Sequence, residues 1–269
     1  MEFFATAGGI PVHILDTKKG ESTILLLHGY LETMYIWSEF IDALRGKYRV
    51  IAIDMPGHGL TDSAPASEEE EQVNTMEFMA AVARDVLRVC NVEKAAVGGH
   101  SMGGFVALRC AALYPETFDK LILFNSNPFK DSEAKAEDRR REIAIISSGK
   151  LTTLAAASIP RMYNQENLRK FDDKIMETVE LCETHDPQGI VACVKGMAAR
   201  SDMQDFLLET KMPAMLIAGD SDSFLSMESV NIMREKFRSL KIVVLPSTGH
   251  NSFVENTQET CRQVCEFLG

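Results

Sequence analysis

One stretch decides the fold of this chain: residues 95–104, which read Ala95-Ala96-Val97-Gly98-Gly99-His100-Ser101-Met102-Gly103-Gly104. The apolar run at 95–98 predicts a buried strand, and the apolar positions from 102 to 114 predict a helix. A G-x-S-x-G pentapeptide between strand and helix puts its serine in a cramped turn, which needs glycine two positions to either side. Such a turn lifts the hydroxyl above the sheet and aims the helix N-terminus at the reacting oxygen. We therefore expect Ser101 to be a nucleophile.

Strands and helices alternate on both sides of this turn. Buried strands are predicted from continuous apolar runs at 23–27, 49–53, 121–124, 214–217 and 242–245. Helices are predicted at 36–45, at 73–90 and from residue 255 onward. Near the N-terminus, short apolar runs at 3–5 and 12–15 flank Gly8-Gly9 and indicate an antiparallel hairpin at a sheet edge. The alternation predicts an α/β fold with a mostly parallel sheet flanked by helices.

Residues 127–208 interrupt this alternation. The segment is rich in helix formers and charges and has no convincing buried strand. We therefore expect an α/β core at 1–126 and 209–269, with a helical cap at 127–208. Within the cap, the charge-dense stretch 133–141 is predicted to be a solvated helix face. The acidic run 68–71, outside the cap, predicts a solvated loop that leads into a helix.

A serine hydroxyl needs a base to remove its proton and a carboxylate to orient that base. Of the six histidines, His250 follows the last predicted strand directly, within Ser247-Thr248-Gly249-His250. Loops at the carboxyl ends of strands are where open α/β sheets collect their functional residues. Asp220 and Asp222 follow the strand at 214–217, and composition alone does not choose between them.

Four motifs in order resemble the α/β-hydrolase superfamily, in its branch of small capped esterases, lactonases and C–C bond hydrolases. They are His28-Gly29-Tyr30, Asp54-x-x-Gly57-His58-Gly59, residues 99–104 and Gly249-His250. The resemblance covers the whole core, with the insertion poorly matched. It implies an α/β-hydrolase fold with a helical cap.

The resemblance also implies roles for particular residues. Its G-x-x-D pattern favours Asp222 over Asp220 as the acid that orients His250. It implies an oxyanion hole built from the backbone N–H groups of Tyr30 and Met102, whose fixed donors would stabilise a tetrahedral oxyanion. Some relatives carry the acid after the preceding strand, but this chain has Asn125-Ser126 there.

These residues together predict a serine hydrolase that cleaves a carboxylic ester, thioester or lactone through an acyl-enzyme on Ser101. A C–C bond hydrolase with the same three residues is the alternative, and a non-catalytic binding protein on this fold is a remote one. An aspartate nucleophile is disfavoured because the turn holds a serine. In the cap, Met162, Tyr163 and Met197 are predicted to line an apolar substrate pocket.

Composition limits the partners. A formal net charge of -11, with 25% charged and 45% hydrophobic residues, argues against binding to nucleic acid. The N-terminus lacks the pattern of a signal peptide and no apolar stretch is long enough to span a membrane, so a cytoplasmic location is predicted. The six cysteines show neither metal-ligand nor disulfide spacing, and we expect buried thiols and no metal or other cofactor. The predicted partner is a small acyl substrate, and the oligomeric state is left open.

Overall fold

A computed structural model describes residues 1–66 and 71–269, so most of the acidic run at 68–71 lies outside the described residues. The described part contains eight strands in one sheet. They are β1 (Glu2–Ala7), β2 (Ile10–Asp16), β3 (Ser22–Leu27), β4 (Tyr48–Ile53), β5 (Ala95–His100), β6 (Phe118–Phe124), β7 (Ala214–Gly219) and β8 (Leu240–Leu245).

The sheet order is β1-β2-β4-β3-β5-β6-β7-β8. The predicted N-terminal hairpin is present, with β1 antiparallel to β2 and β2 antiparallel to β4. All other pairs are parallel, as the alternation predicted. The central strand β5 is buried along its whole length, which explains its unbroken apolar run of small residues. Because β3 to β8 share one direction, their carboxyl ends lie at the same edge of the sheet.

Helices cover the sheet and fill the insertion. They are α1 (Ser38–Leu44), α2 (Met76–Val89), α3 (Met102–Leu113), α4 (Glu133–Ser147), α5 (Leu151–Ser158), α6 (Asp172–Glu183), α7 (Pro187–Ala199), α8 (Gln204–Glu209), α9 (Met227–Lys236), α10 (Ser252–Glu255) and α11 (Thr257–Leu268). Helix α2 begins where Thr75 accepts a hydrogen bond from the N–H of Phe78. The terminal helix predicted from residue 255 is α11, which begins at Thr257. The short helix α10 precedes it and is separate, because the chain leaves helical geometry at Asn256 (φ -136°).

Helices α4 to α8 lie between β6 and β7, and the described residues of this insertion include no strand. The charged stretch 133–141 differs from expectation at one position. Arg139 is buried, and its guanidinium contacts Asp131 at 3.3 Å and Glu142 at 3.2 Å. Asp131 also pairs with Arg200 at 2.7 Å. A solvated face was thus the wrong prediction for Arg139, because a partner just before the helix neutralises its charge inside the insertion.

All six cysteines are free. Four are buried as expected, whereas Cys261 and Cys265 are only half-buried on the terminal helix α11. In the part of the chain that the structure describes, no helix combines the length and apolarity needed to cross a membrane.

Candidate active site

Ser101 occupies the turn between β5 and α3 in a strained conformation, with φ 50° and ψ -112°. The positions of the two neighbouring glycines have no room for a side chain. A Cβ atom on Gly99 would collide with the carbonyl of Gly103, and one on Gly103 would collide with the carbonyl of Leu27. These contacts explain the glycine on each side of the serine, and they press the start of α3 against the end of β3.

Strand β6 holds the turn in place. The N–H of Ser101 donates to the carbonyl of Phe124 at 3.0 Å, and the hydroxyl of Ser126 donates to the carbonyl of Ser101 at 2.8 Å. The main chain of Ser101 is therefore fixed while its side chain stays half-exposed. Within the described residues, the Ser101 hydroxyl makes no hydrogen bond.

His250 and Asp222 form a hydrogen-bonded pair at the same edge of the sheet. The Nδ1 atom of His250 lies 2.9 Å from Oδ1 and 2.8 Å from Oδ2 of Asp222. Burial by itself raises the pKa of the Asp222 carboxyl, but His250 and further hydrogen bonds lower that pKa below its usual value. The further donors are the side chain of Asn125 and the N–H groups of Phe224 and Leu225. Asp222 is thus held as a carboxylate facing one nitrogen of the imidazole.

Asp220 has a different environment. Its N–H continues the ladder to Leu245 at 3.0 Å, and its carboxylate accepts hydrogen bonds from Ser221 at 2.8 Å and from the N–H of Thr248 at 3.3 Å. Asp220 therefore braces the loop that carries His250 without contacting the imidazole.

The backbone N–H groups of Tyr30 and Met102 lie on adjoining segments, because Gly103 packs against the carbonyls of Leu27 and His28. Neither N–H donates to an acceptor within the described residues. Tyr30 sits in a tight turn from Gly29 to Glu32, in which Leu31 has a φ of 66°. Unpaired N–H groups in a fixed turn and at a helix start are suited to bind a developing negative charge.

The phenol of Tyr30 is a further feature of this turn. Burial raises the pKa of Tyr30 well above its usual value, and its hydroxyl has no partner in the described part of the chain.

The insertion contacts the catalytic edge through its main chain. The carbonyl of Met162 accepts hydrogen bonds from the N–H groups of His250 at 2.8 Å and Asn251 at 3.0 Å. Tyr163 is buried with its ring 5.7 Å from that of Phe171, and Met197 is buried in α7. The described contacts of Tyr163 and Met197 do not join them to Ser101 or Asp222, so their role in a pocket stays a prediction.

Sequence reasoning missed several residues of this edge. Glu255 accepts hydrogen bonds from Gly249 at 2.7 Å and Asn164 at 3.0 Å, which joins the His250 loop to the insertion. The ring of Phe224 lies beside that of His250, tilted by 44° with 4.9 Å between ring centroids. Asn125 occupies the position where some relatives carry the acid, and here it donates to Asp222 at 2.9 Å. The position of Asn125 directly after β6 was the one feature of the sequence that could have indicated its place in this site.

Comparison with known proteins decides the family. The family model described as alpha/beta hydrolase fold matches residues 22–157. The chain belongs to the α/β-hydrolase family. The solved structure of a thermophilic esterase from Thermogutta terrifontis superposes with a TM-score of 0.90 at 26% identity, covering 100% of this chain and 98% of that one. The match to the family model begins in β3 and therefore includes the turn of Ser101.

Two curated relatives differ in how much of their length the chain spans. The 2-hydroxy-6-oxononadienedioate/2-hydroxy-6-oxononatrienedioate hydrolase of Paraburkholderia phymatum is 28% identical over 278 residues, or 96% of this chain and 91% of that protein. Epoxide hydrolase 4 of Mus musculus is 35% identical over 113 residues, which is 42% of this chain and only 30% of that protein. The family model and the full-length relative thus place the chain among proteins named as hydrolases.

Proposed function

We propose that the protein is a serine hydrolase that cleaves a carboxylic ester, thioester or lactone of a small acyl substrate. The observation that carries this proposal is the pairing of His250 with Asp222 at 2.8 Å, at the edge of the sheet where Ser101 occupies its strained turn. In this proposal Ser101 is the nucleophile, His250 the general base and Asp222 the orienting acid.

The reaction begins when the Oγ atom of Ser101 attacks the substrate carbonyl and its proton passes to Nε2 of His250. Nδ1 is engaged by Asp222, which leaves Nε2 for this transfer. The oxyanion is stabilised by the N–H groups of Tyr30 and Met102. Collapse of the tetrahedral intermediate breaks the bond to the leaving oxygen or sulfur, which takes the proton from His250.

The second half of the reaction releases the acyl group. Water attacks the acyl-enzyme carbonyl while His250 accepts one of its protons, and that proton returns to Oγ of Ser101 as the acid departs. In a lactone, the leaving oxygen stays attached to the acyl group, so ring opening gives a hydroxy acid. Neither half requires a metal or an organic cofactor.

The insertion at 127–208 is proposed to act as a cap over the core formed by 1–126 and 209–269. The backbone contacts of Met162 with the His250 loop support this division, because they join the insertion to the catalytic edge. Met162, Tyr163 and Met197 are proposed to line the acyl pocket, and all three are buried apolar or aromatic side chains.

Cleavage of a C–C bond beside a ketone is the second candidate. The full-length likeness to the 2-hydroxy-6-oxononadienedioate hydrolase favours it, whereas the likeness to the Thermogutta esterase favours ester cleavage. A non-catalytic binding protein is disfavoured because such a protein has no need of a strained serine, a hydrogen-bonded Asp–His pair and two free N–H groups together.

A fluorophosphonate probe tests the nucleophile. The Ser101 oxygen displaces fluoride and forms a P–O bond, so one adduct is expected on the peptide that contains Ser101 and none in Ser101→Ala. A folded protein that is not labelled at Ser101 would support the binding-protein alternative.

A substrate panel then separates the two reactions. We expect kcat/KM to be higher for 4-nitrophenyl acyl esters of graded chain length than for a 2-hydroxy-6-oxononadienedioate. The opposite order would assign C–C cleavage to the same three residues.

A further inference from the structure

Glu32 and His100 form a buried pair that the proposed reaction does not use directly. Both side chains are 0% exposed, and Nδ1 of His100 lies 2.8 Å from Oε2 of Glu32. Glu32 ends the turn that carries Tyr30, and His100 immediately precedes Ser101. Each member of the pair is therefore attached to a different part of the proposed machinery.

The pair also contacts the Tyr30 turn and the His250 loop, whereas Oε1 of Glu32 has no hydrogen-bond partner in the described part of the chain. Oε2 of Glu32 also accepts a hydrogen bond from the N–H of Gly29 at 2.7 Å, which closes the turn around Tyr30. The other ring nitrogen of His100, Nε2, lies 3.2 Å from the carbonyl oxygen of His250. The rings of His100 and His250 are 4.7 Å apart.

Both ring nitrogens of His100 face oxygen atoms. A carbonyl oxygen only accepts hydrogen bonds, so Nε2 donates to His250. A second hydrogen bond joins Nδ1 to Oε2 of Glu32. The imidazole is therefore hydrogen-bonded on both sides in a site without exposure to solvent.

The surroundings of Glu32 agree with an ionised carboxylate. Burial by itself raises the pKa of Glu32, but the charge of His100 and its hydrogen bond lower that pKa below its usual value. The other titratable groups near the pair are His28, His185, His250 and Tyr163. The ring of Phe253 closes another side, at 5.1 Å from that of His100.

We propose that Glu32 and His100 are a positioning pair, buried and hydrogen-bonded to each other, which holds the Tyr30 turn, the Ser101 turn and the His250 loop in register. The inference rests on the proposed function, because it assigns the pair's role through those three catalytic segments. The pair touches no substrate atom. It acts by fixing the distance between the nucleophile, the base and the oxyanion donors, where a misplacement of about 1 Å costs roughly 10² in rate.

The close packing of Gly29 supports this arrangement. A Cβ atom at that position would lie 2.6 Å from Nδ1 of His100 and 2.9 Å from Oε2 of Glu32. The pair therefore occupies the space beside the glycine that precedes Tyr30, and a side chain there would displace it.

The first test is the hydrogen bonding of the His100 ring in the wild-type protein. ¹⁵N-histidine NMR detects ring N–H protons that exchange slowly with solvent. We expect a protected ring N–H signal that is absent from His100→Gln, because Nε2 donates to the carbonyl of His250 in a site without exposure to solvent. Rapid exchange of the His100 ring proton would overturn the proposal whether or not the protein is a serine hydrolase.

The second test removes the charge and keeps the shape. Glu32→Gln is expected to lower kcat on an ester by about 10²-fold, with KM changed less than threefold, and to speed the solvent exchange of the His100 ring proton. Asp16→Asn is the matched control, because Asp16 is also a buried carboxylate but lies away from this site. Its carboxylate pairs with the guanidinium of Arg49 at 2.6 Å. It is expected to lower stability and to leave kcat unchanged.

A double variant separates a coupled pair from two independent residues. If Glu32 and His100 act as a unit, Glu32→Gln combined with His100→Gln loses no more than about threefold beyond the worse single variant. Additive losses, or a Glu32→Gln enzyme with wild-type kcat, would overturn the proposal. Failure of the proposed function appears separately, as wild-type activity in Ser101→Ala.

Discussion

The carbonyl oxygen of Met162, in the insertion, accepts a hydrogen bond from the N–H of His250 at 2.8 Å. The insertion therefore contacts the loop of the proposed base directly. Glu255 strengthens this connection, because it accepts hydrogen bonds from Gly249 on the loop and from Asn164 and Asn167 in the insertion. The cap proposed here would help to hold His250 in addition to covering the substrate.

Glu255→Gln tests this connection. All three groups that face the Glu255 carboxylate are N–H donors, so the amide nitrogen of glutamine would oppose one of them. We expect kcat/KM on an ester to fall about 10²-fold through a displaced His250 loop. The control is Glu259→Gln on the next helix, where a half-buried carboxylate pairs with Arg262 and activity should not change. Equal activities of the two variants would contradict the connection.

The choice of acid is tested by two amide substitutions. Asp222→Asn loses the charge that faces Nδ1 of His250 and favours the wrong tautomer, at a cost of about 10⁴ in kcat. Asp220→Asn keeps an oxygen for Ser221 and Thr248 and should lose less than about tenfold. Both variants are assayed on one ester. The reverse order would move the acid to Asp220 and leave the other roles unchanged.

The strands, the Ser101 turn and the His250 loop could be predicted because their signals are local. Apolar runs identify buried strands, and glycine spacing identifies a turn that tolerates no side chain. The partner of Glu255 is 91 residues away in sequence at Asn164, and that of Glu32 is 68 residues away at His100. Hydrogen bonds over such separations depend on the packing of whole elements, so no pattern in the chain reports them.

The two aspartates show the same limit on a smaller scale. Asp220 and Asp222 are indistinguishable by alternation, since both follow the same strand. In the structure, Asp220 still pairs with Leu245 through its N–H, and the chain turns toward His250 only after Ser221 pairs with Thr248. Arg139 gives a further example. Its sequence surroundings on α4 are the same as those of the exposed charged residues there, but its burial depends on Asp131 and on the packing of the insertion.

Three neutral histidines should make stability depend on pH. The His58 ring lies 5.2 Å from those of His28 and His185, and burial lowers the pKa of all three, that of His185 to about 4. Unfolding restores an ordinary pKa of about 6.5 to each imidazole. At pH values between the lowered pKa and about 6.5, the unfolded chain therefore binds more protons than the folded one. Stability from these groups is therefore complete above about pH 6.5 and is lost as the pH falls toward 4.

His185→Asn isolates one of these contributions. The Nδ1 atom of His185 accepts a hydrogen bond from Gly59 at 3.1 Å, which asparagine can replace with an oxygen that does not titrate. The free energy of unfolding is measured with urea at about pH 7 and at about pH 5. Between these pH values it should fall by about 2 kcal/mol more in wild type than in the variant. An identical loss in both proteins would mean that His185 is not held neutral.

The central claim is that Ser101 performs the nucleophilic attack, and the rate of purified Ser101→Ala on a chromogenic ester tests it most directly. Circular dichroism and the urea midpoint should match wild type, because the side chain of Ser101 is half-exposed and makes no hydrogen bond within the described residues. We expect kcat to fall by up to about 10⁶-fold, since the three residues act as a unit. A folded Ser101→Ala protein that hydrolyses the ester at close to the wild-type rate would contradict the account.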